Sequence, residues 1–240
     1  MPDQQQEQIA DFYDDFAARQ RRIGLNDRIW YLYDRLRGLG LTPDSRVLEL
    51  GCGVGALTAL LARHAKRGYI EAVDLSPESV RFVREQLGGL ANVSLQVHDV
   101  VTYEPTSRAF DFITLFDVIE HIPLDQHGAL FQHVARLADP HTTLLINIPH
   151  PALIGYYQQH DPAALQVIDQ PVLLAPLVAQ LTAAGWALHT LATYSLWRAD
   201  DYQFLVIRRA QPFTNEPVRR NAWTRARAKA WRLWRAWGVR

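Results

Sequence analysis

Arg46-Val-Leu-Glu-Leu-Gly51-Cys-Gly53-Val-Gly55 is a β-branched and leucine-rich run that breaks into three glycines at alternate positions. A strand ending in glycines lets the backbone approach a ligand without side-chain interference. The following Ala56-Leu-Thr-Ala-Leu-Leu-Ala62 reads as a helix, whose first N–H groups attract polar ligand atoms. The stretch therefore predicts a strand, a ligand-cradling turn and a helix. Cys52 inside the turn reads as a small filler rather than a nucleophile.

Working outward, strand-like runs alternate with amphipathic helical ones: Val47–Leu50, Ala56–Arg67, Tyr69–Asp74, Pro77–Leu87, Val93–His98, Phe110–Phe116, Asp125–Ala138 and Thr142–Ile148. That alternation predicts an α/β fold, a parallel sheet doubly wound with helices. Ser76-Pro77 supplies a cap and a first-turn proline, and Gly88-Gly89 closes the same helix. After Pro149 the pattern loosens. Pro151, Pro162, Pro171 and Pro176 punctuate a segment with helices expected around 152–159 and 171–184, followed by strands at Trp186–Leu196 and Tyr202–Arg209. Two helical stretches, Gln4–Gln20 and Asn26–Gly38, precede the core, the first with Ile9, Phe12, Tyr13 and Phe16 on one face. The expected organisation is a helical cover at 1–40, a core at 41–211 with an insert at about 149–184, and a tail at 212–240.

With 240 residues, 48% of them hydrophobic, the chain can bury a real core as one domain with appendages. A formal charge of zero points neither to disorder nor to a strongly polyanionic partner for the whole. Charge is nonetheless unevenly placed. Residues 218–240 carry eight of the 25 Lys and Arg residues and no acid. Four of the seven tryptophans lie there too. On a helical wheel Trp223, Ala226, Ala230, Leu233, Trp234 and Trp237 share a face opposite Arg225, Lys229, Arg232 and Arg235. Such a basic amphipathic tail helix suits a membrane surface. It also suits packing on the acidic body or a second subunit, as in a homodimer, and less well nucleic acid. The polar start and the lack of any apolar run near the ~18 to 20 residues that span a bilayer suggest a cytoplasmic protein, membrane-associated if the tail binds lipid. A single cysteine excludes an intrachain disulfide framework and a Cys-rich zinc site, and no metal is expected.

Asp74 ends the second strand 23 residues after Gly51, which suits a carboxylate accepting from ribose hydroxyls. Dinucleotide enzymes share this, and Gly51-x-Gly53-x-x-Ala56 satisfies the looser nicotinamide fingerprint, so the glycines alone leave the cofactor open. Three features separate the readings. Glu49 lies two residues before the first glycine, a third acidic strand end occurs at His98-Asp99-Val100, and a fourth strand runs into Asp117-Val-Ile-Glu-His-Ile122. Together they resemble the class I S-adenosylmethionine-dependent methyltransferases over roughly residues 46–150. The Asp117–Ile122 signature is particularly similar to the small-molecule branch that includes ubiquinone-pathway O-methyltransferases.

The resemblance implies a Rossmann-like, seven-stranded, mostly parallel sheet whose last strand is antiparallel, with the cofactor across the carboxyl ends of the first strands. Gly51, Cys52, Gly53 and Gly55 would follow its methionine and ribose parts, and Glu49 would orient the turn or meet the ammonium through water. Asp74 would take the ribose hydroxyls, Leu75 would flank the adenine, and Asp99 with the Val100 backbone would meet the adenine amino group. Phe116 would line the sulfonium region, where an aromatic face favours a cation. Tyr13 and Arg22 fall where this family folds a segment over the cofactor and meets its carboxylate. Read singly, Glu49 could cap a helix, Asp74 and Asp99 could be turn residues and Phe116 could be core; their joint order carries the reading.

Methyl transfer from a sulfonium is an in-line displacement with a neutral leaving group, so the protein supplies alignment and excludes water. A hydroxyl acceptor benefits from a general base. His121, after the fourth strand, and His150, after the fifth, are the candidates, each also readable as a satisfied structural histidine; Glu120 reads as a loop-fixing group. The Asp/Asn-Pro-Pro-Tyr/Phe signature of nucleobase and glutamine amino methyltransferases is absent, and the ligands of catechol-type metal enzymes are not recognisable. The insert, with Tyr156, Tyr157, His160 and Gln170, is the expected lid over a small or lipid-linked acceptor. The expectation is methyl transfer to oxygen, less readily nitrogen, releasing S-adenosylhomocysteine. The alternatives are a nicotinamide-dependent oxidoreductase and a non-catalytic nucleoside-binding module tethered by the tail.

Overall fold

A computed structural model describes residues 24–107, 109–166, 168–213, 215, 227 and 231. The chain forms two compact units, residues 1–210 and 211–240. In the first, α1 (Asp27–Gly38) precedes β1 (Arg46–Leu50), α2 (Ala56–His64), β2 (Tyr69–Asp74), α3 (Pro77–Leu87), β3 (Val93–Val97), β4 (Phe112–Phe116) and α4 (His127–Leu137). Then come β5 (Thr143–Pro149), α5 (Pro151–His160), α6 (Leu174–Ala183), β6 (Trp186–Tyr194) and β7 (Tyr202–Arg209). One seven-stranded sheet runs in the order β3-β2-β1-β4-β5-β7-β6. Strands β1 to β5 are parallel, while β7 inserts antiparallel between β5 and β6. The expected α/β fold, doubly wound and ending on an antiparallel strand, is the one observed.

The central strands are apolar almost throughout because helices cover both faces. Along β1 the two-residue period divides the chain: Val47 joins the core under α1 and α2, with Leu32, Leu36, Leu57 and Leu61, whereas Leu48 and Leu50 join the core under α4 and α6. Each such leucine buried from water contributes about 1.5–3 kcal/mol. Trp186, 1% exposed, fills the second core and donates its Nε1–H to Phe131 O at 3.2 Å. Local signals set most helix ends. Asn26 caps α1 by accepting from Ile29 N at 3.1 Å, and Ser76 caps α3 by accepting from Ser79 N at 3.1 Å.

Several boundaries shift from the sequence expectation. Helix α2 stops at His64, because Ala65 leaves the helical region at φ −83°, ψ 56°. Strand β4 starts at Phe112, not Phe110, since Ala109 has φ 66° and the Phe110 carbonyl is taken by the Thr142 hydroxyl at 2.6 Å. The expected helix Gln4–Gln20 lies outside the described residues. Of the expected basic tail helix at 218–240, Arg227 and Trp231 are described and both are helical; its remaining residues lie outside the description. Among the described residues no helix is long and apolar enough to cross a membrane.

Candidate cofactor and methyl-transfer site

In the strand order the connection after β1 leads to one side and β4 lies on the other, so a crevice opens between their carboxyl ends. The glycine turn forms one wall. Gly51, Gly53 and Gly55 all have positive φ, at 84°, 51° and 73°. A Cβ on Gly51 would stand 2.3 Å from Val118 Cγ2, and one on Gly55 would stand 2.6 Å from Val83. The turn is pinned by Gly51 N and Cys52 N, which donate to Val73 O at 2.8 and 2.9 Å. Helix α2 begins at Gly55 without a side-chain cap, leaving its first N–H groups to a ligand. Cys52 is buried, and burial followed by the nearby Asp74 and Glu49 charges pushes its thiol well up, in keeping with a filler.

Asp74, at the end of β2, accepts from Gly53 N at 2.7 Å through Oδ2 and from Ser76 N at 2.9 Å through Oδ1. These bonds tie β2 to the glycine turn. A carboxylate offers about four acceptor positions, so acceptor capacity remains beyond these bonds, as a ribose hydroxyl would need. Burial raises its pKa, against the opposing pull of the backbone donors. Leu75 beside it is 47% exposed, and Val97, register partner of Asp74 on β3, is 44% exposed. Two uncovered apolar side chains at adjacent strand ends suit a flat apolar ring, and Val97 was not anticipated from sequence. Asp99 is exposed and accepts from Val101 N at 2.9 Å, while Val100 is buried. These residues fit the adenosine half of the cofactor. Tyr13 and Arg22 lie outside the described residues.

Glu49 follows the same alternation as Val47 and points at α2, where it is 4% exposed and accepts from the Thr58 hydroxyl at 2.7 Å. This bond fixes α2 against β1, which differs from the two roles expected of Glu49, orienting the turn and meeting the ammonium through water. Burial pushes its pKa up to about 8, with Thr58 opposing and Asp74 adding to the rise. In the unfolded chain the group titrates near its ordinary 4.5, so the folded protein holds the extra proton between about 4.5 and 8. Stability from this group is therefore complete below pH 4.5 and is lost as pH rises towards 8. Glu49→Gln should leave the melting temperature at pH 5 nearly unchanged and raise it at pH 8; thermal melts at the two pH values check this, and a larger gain at pH 5 would contradict it.

The opposite wall is the end of β4. Phe116 is half-buried, its ring centroid 6.0 Å from that of Phe204. Asp117 follows with φ 56°, an uncommon conformation for a residue with a side chain. Its N–H donates to Asn147 O at 2.8 Å, and its carboxylate accepts from Asn147 Nδ2 at 3.1 Å and pairs with Arg28 of α1 at 3.0 Å. Arg28 also donates to the Tyr202 hydroxyl at 3.2 Å, and the Tyr194 hydroxyl donates to Asn147 Oδ1 at 2.7 Å. Tyr31 stacks on Tyr194 with centroids 3.8 Å apart. Burial raises the Asp117 pKa; Arg28 and His121 oppose it. Side chains from α1, β4, β5, β6 and β7 thus meet at one point. Arg28, Asn147, Tyr194 and Tyr202 were missed in the sequence because they approach from up to 174 residues apart, as Arg28 and Tyr202 do.

His121 ends a short 3₁₀ turn, Ile119–His121. Its Nδ1 donates to Ile168 O at 2.7 Å, and its Nε2 lies 3.1 Å from Gln166 Nε2. Glu120 is 1% exposed, its Oε1 is 3.9 Å from His121 Nε2, and its Oε2 has no hydrogen-bond partner. Burial, then the Asp117 charge, pushes its carboxyl well up. Gln170 donates its N–H to Glu120 O at 3.1 Å and its side chain to Ile122 O at 3.3 Å. The insert 149–184 therefore holds α5 and α6, with Gln166, Ile168 and Gln170 tied to Glu120-His121-Ile122. His150 caps α5, accepting from Ala152 N at 3.2 Å through Nδ1. Tyr156 stacks on His160 at 4.2 Å, and Tyr157 lies under the Arg198 guanidinium at 5.8 Å. Among the described residues no group of three or more His, Cys, Asp or Glu could hold a metal ion.

A family model described as a methyltransferase domain matches residues 3–236. The chain belongs to this methyltransferase family, as its likeness to the class I S-adenosylmethionine-dependent enzymes implied. It is 33% identical over 109 residues to a ubiquinone biosynthesis O-methyltransferase of Xanthomonas campestris pv. campestris, a stretch covering 44% of this chain and 43% of that relative. It is 27% identical over 111 residues to a phosphoethanolamine N-methyltransferase of Plasmodium falciparum, covering 46% and 41%. The chain thus spans less than half the length of these curated relatives. The fold matches that of magnesium protoporphyrin IX methyltransferase from Synechocystis PCC 6803, solved with bound SAH, with a TM-score of 0.66 at 19% identity over 85% of this chain and 99% of that one.

Proposed function

We propose that the chain is an S-adenosylmethionine-dependent methyltransferase that methylates a hydroxyl oxygen of a small or lipid-linked acceptor, with His121 as the proton acceptor. The family match supports methyl transfer and leaves the nicotinamide reading without a role for Glu120-His121. The observation that carries the oxygen reading is the orientation of His121. A backbone carbonyl engages Nδ1, which leaves Nε2 as the ring nitrogen turned to Gln166 in the segment that an acceptor would displace. In His150 the Nδ1 lone pair is engaged by the backbone of α5, whereas the group on His121 Nε2 is a glutamine side chain that an acceptor could displace, which favours His121 as the base. The O-methyltransferases among the relatives agree with this direction.

The test is methyl transfer from S-adenosylmethionine to a catechol carboxylate, a malonyl thioester and phosphoethanolamine. Transfer to a hydroxyl-bearing acceptor, with kcat lowered about 10²- to 10⁴-fold in His121→Ala and within threefold in His150→Ala, is expected. Methylation of phosphoethanolamine alone, or full turnover by His121→Ala, would overturn the assignment.

A further inference from the structure

We propose that Asp117 is the specificity-determining carboxylate that tells the methyl donor from its product, by meeting the positive charge that sulfur carries before transfer and loses after it. The proposal rests on the methyl-transfer reading above and deepens it. Three observations carry it. First, Asp117 directly follows β4, and its neighbour Val118 packs so close to the glycine turn that Gly51 has no room for a Cβ. The Val118 side chain therefore forms the wall facing Gly51, one residue after Asp117. Second, the residue is held in the left-handed region at φ 56°, a conformation that persists only where surroundings over-determine it. Those surroundings are present: the Asn147 carbonyl and amide on one side, with Tyr194 fixing the amide, and Arg28 on the other. Third, the carboxylate keeps 16% of its surface accessible although both its oxygens are already bonded. It has lone pairs left for a further positive group.

The remaining charges at this edge fit the same role. Glu120 is 1% exposed, and its Oε2 and the buried Oδ1 of Asp169 have no hydrogen-bond partner. Among the described residues Arg28 is the guanidinium paired with Asp117, and its Nε is buried without a hydrogen-bond partner. Asp117 can therefore meet a further positive charge, which the sulfonium donor brings and the thioether product does not. The bond that forms joins the methyl carbon to the acceptor, the bond that breaks joins it to sulfur, and the electron pair left on sulfur cancels its charge. The attraction of Asp117 for the sulfur end then ends with the reaction, which favours product release.

The effect is read by calorimetric titration of the full chain at pH 8 with S-adenosylmethionine and, separately, with S-adenosylhomocysteine; neither requires a known acceptor. Asp117→Asn should weaken S-adenosylmethionine binding about tenfold and leave S-adenosylhomocysteine within about twofold, since one unit charge near the sulfonium is removed and the shape is kept. Arg28→Gln removes the competing cation and should move the preference the other way, towards the donor. A merely structural role predicts equal losses for both ligands. Equal losses, no change in the ratio, or a shift of Arg28→Gln towards the product would each overturn the proposal. Should Asp117→Asn fail to fold, the direction of the Arg28→Gln shift decides. Wild-type protein that binds neither ligand would instead defeat the methyltransferase reading itself.

Discussion

Gly51→Ala is expected to abolish measurable S-adenosylhomocysteine binding, a loss of roughly 100-fold or more, and to destabilise the fold by about 2–5 kcal/mol. Two independent costs act at this position. The residue has φ 84°, where a side chain is strained, and the new Cβ would stand 2.3 Å from Val118 Cγ2. Val118 can retreat only by moving the Asp117 turn, which is held to Asn147 by a 2.8 Å backbone bond. Both walls of the crevice therefore shift together. Calorimetric titration combined with a thermal melt checks the outcome; an affinity within threefold of wild type would mean that the turn holds no ligand.

The second large effect is expected at Asp74. Its carboxylate satisfies Gly53 N and Ser76 N, and leaving two donors unmatched costs about 1–3 kcal/mol each where they are buried. Asp74→Ala should thus loosen the turn, unmake the start of α3 and lose the ribose partner, weakening S-adenosylhomocysteine about 100-fold. Asp74→Asn keeps one acceptor oxygen and should lie between wild type and Asp74→Ala in the same titration. Equal affinities for all three proteins would remove Asp74 from the site.

These two positions also mark what a sequence can disclose. The turn, the Ser76 cap, the strand end at Asp74 and the helix end at Leu87–Gly88 act within a few residues, so local patterns reveal them. Strand–helix alternation reveals the parallel sheet because each strand is buried on both faces and each helix on one. Glu49 was legible as a site residue, yet only the pairing of β1 with α2 decides that it faces Thr58, nine residues on, in the interior. The Asp117 network was not legible at all. Arg28 stands 89 positions before its partner, and Tyr194 stands 47 after Asn147, so nothing in the local spacing joins them. His121 was chosen for its chemistry and position after β4, whereas the carbonyl that engages its Nδ1 belongs to Ile168, 47 residues away in the insert. Boundaries failed where tertiary contacts overrode propensity, as at Phe110, whose carbonyl is claimed by Thr142.

The central claim is that the crevice between β1 and β4 holds S-adenosylmethionine rather than a dinucleotide. Calorimetric titration of the full chain with S-adenosylhomocysteine and with NAD tests it most directly. One equivalent of S-adenosylhomocysteine should bind, with no heat from NAD and with binding lost in Gly51→Ala. Saturable binding of NAD, with none of S-adenosylhomocysteine, would contradict it.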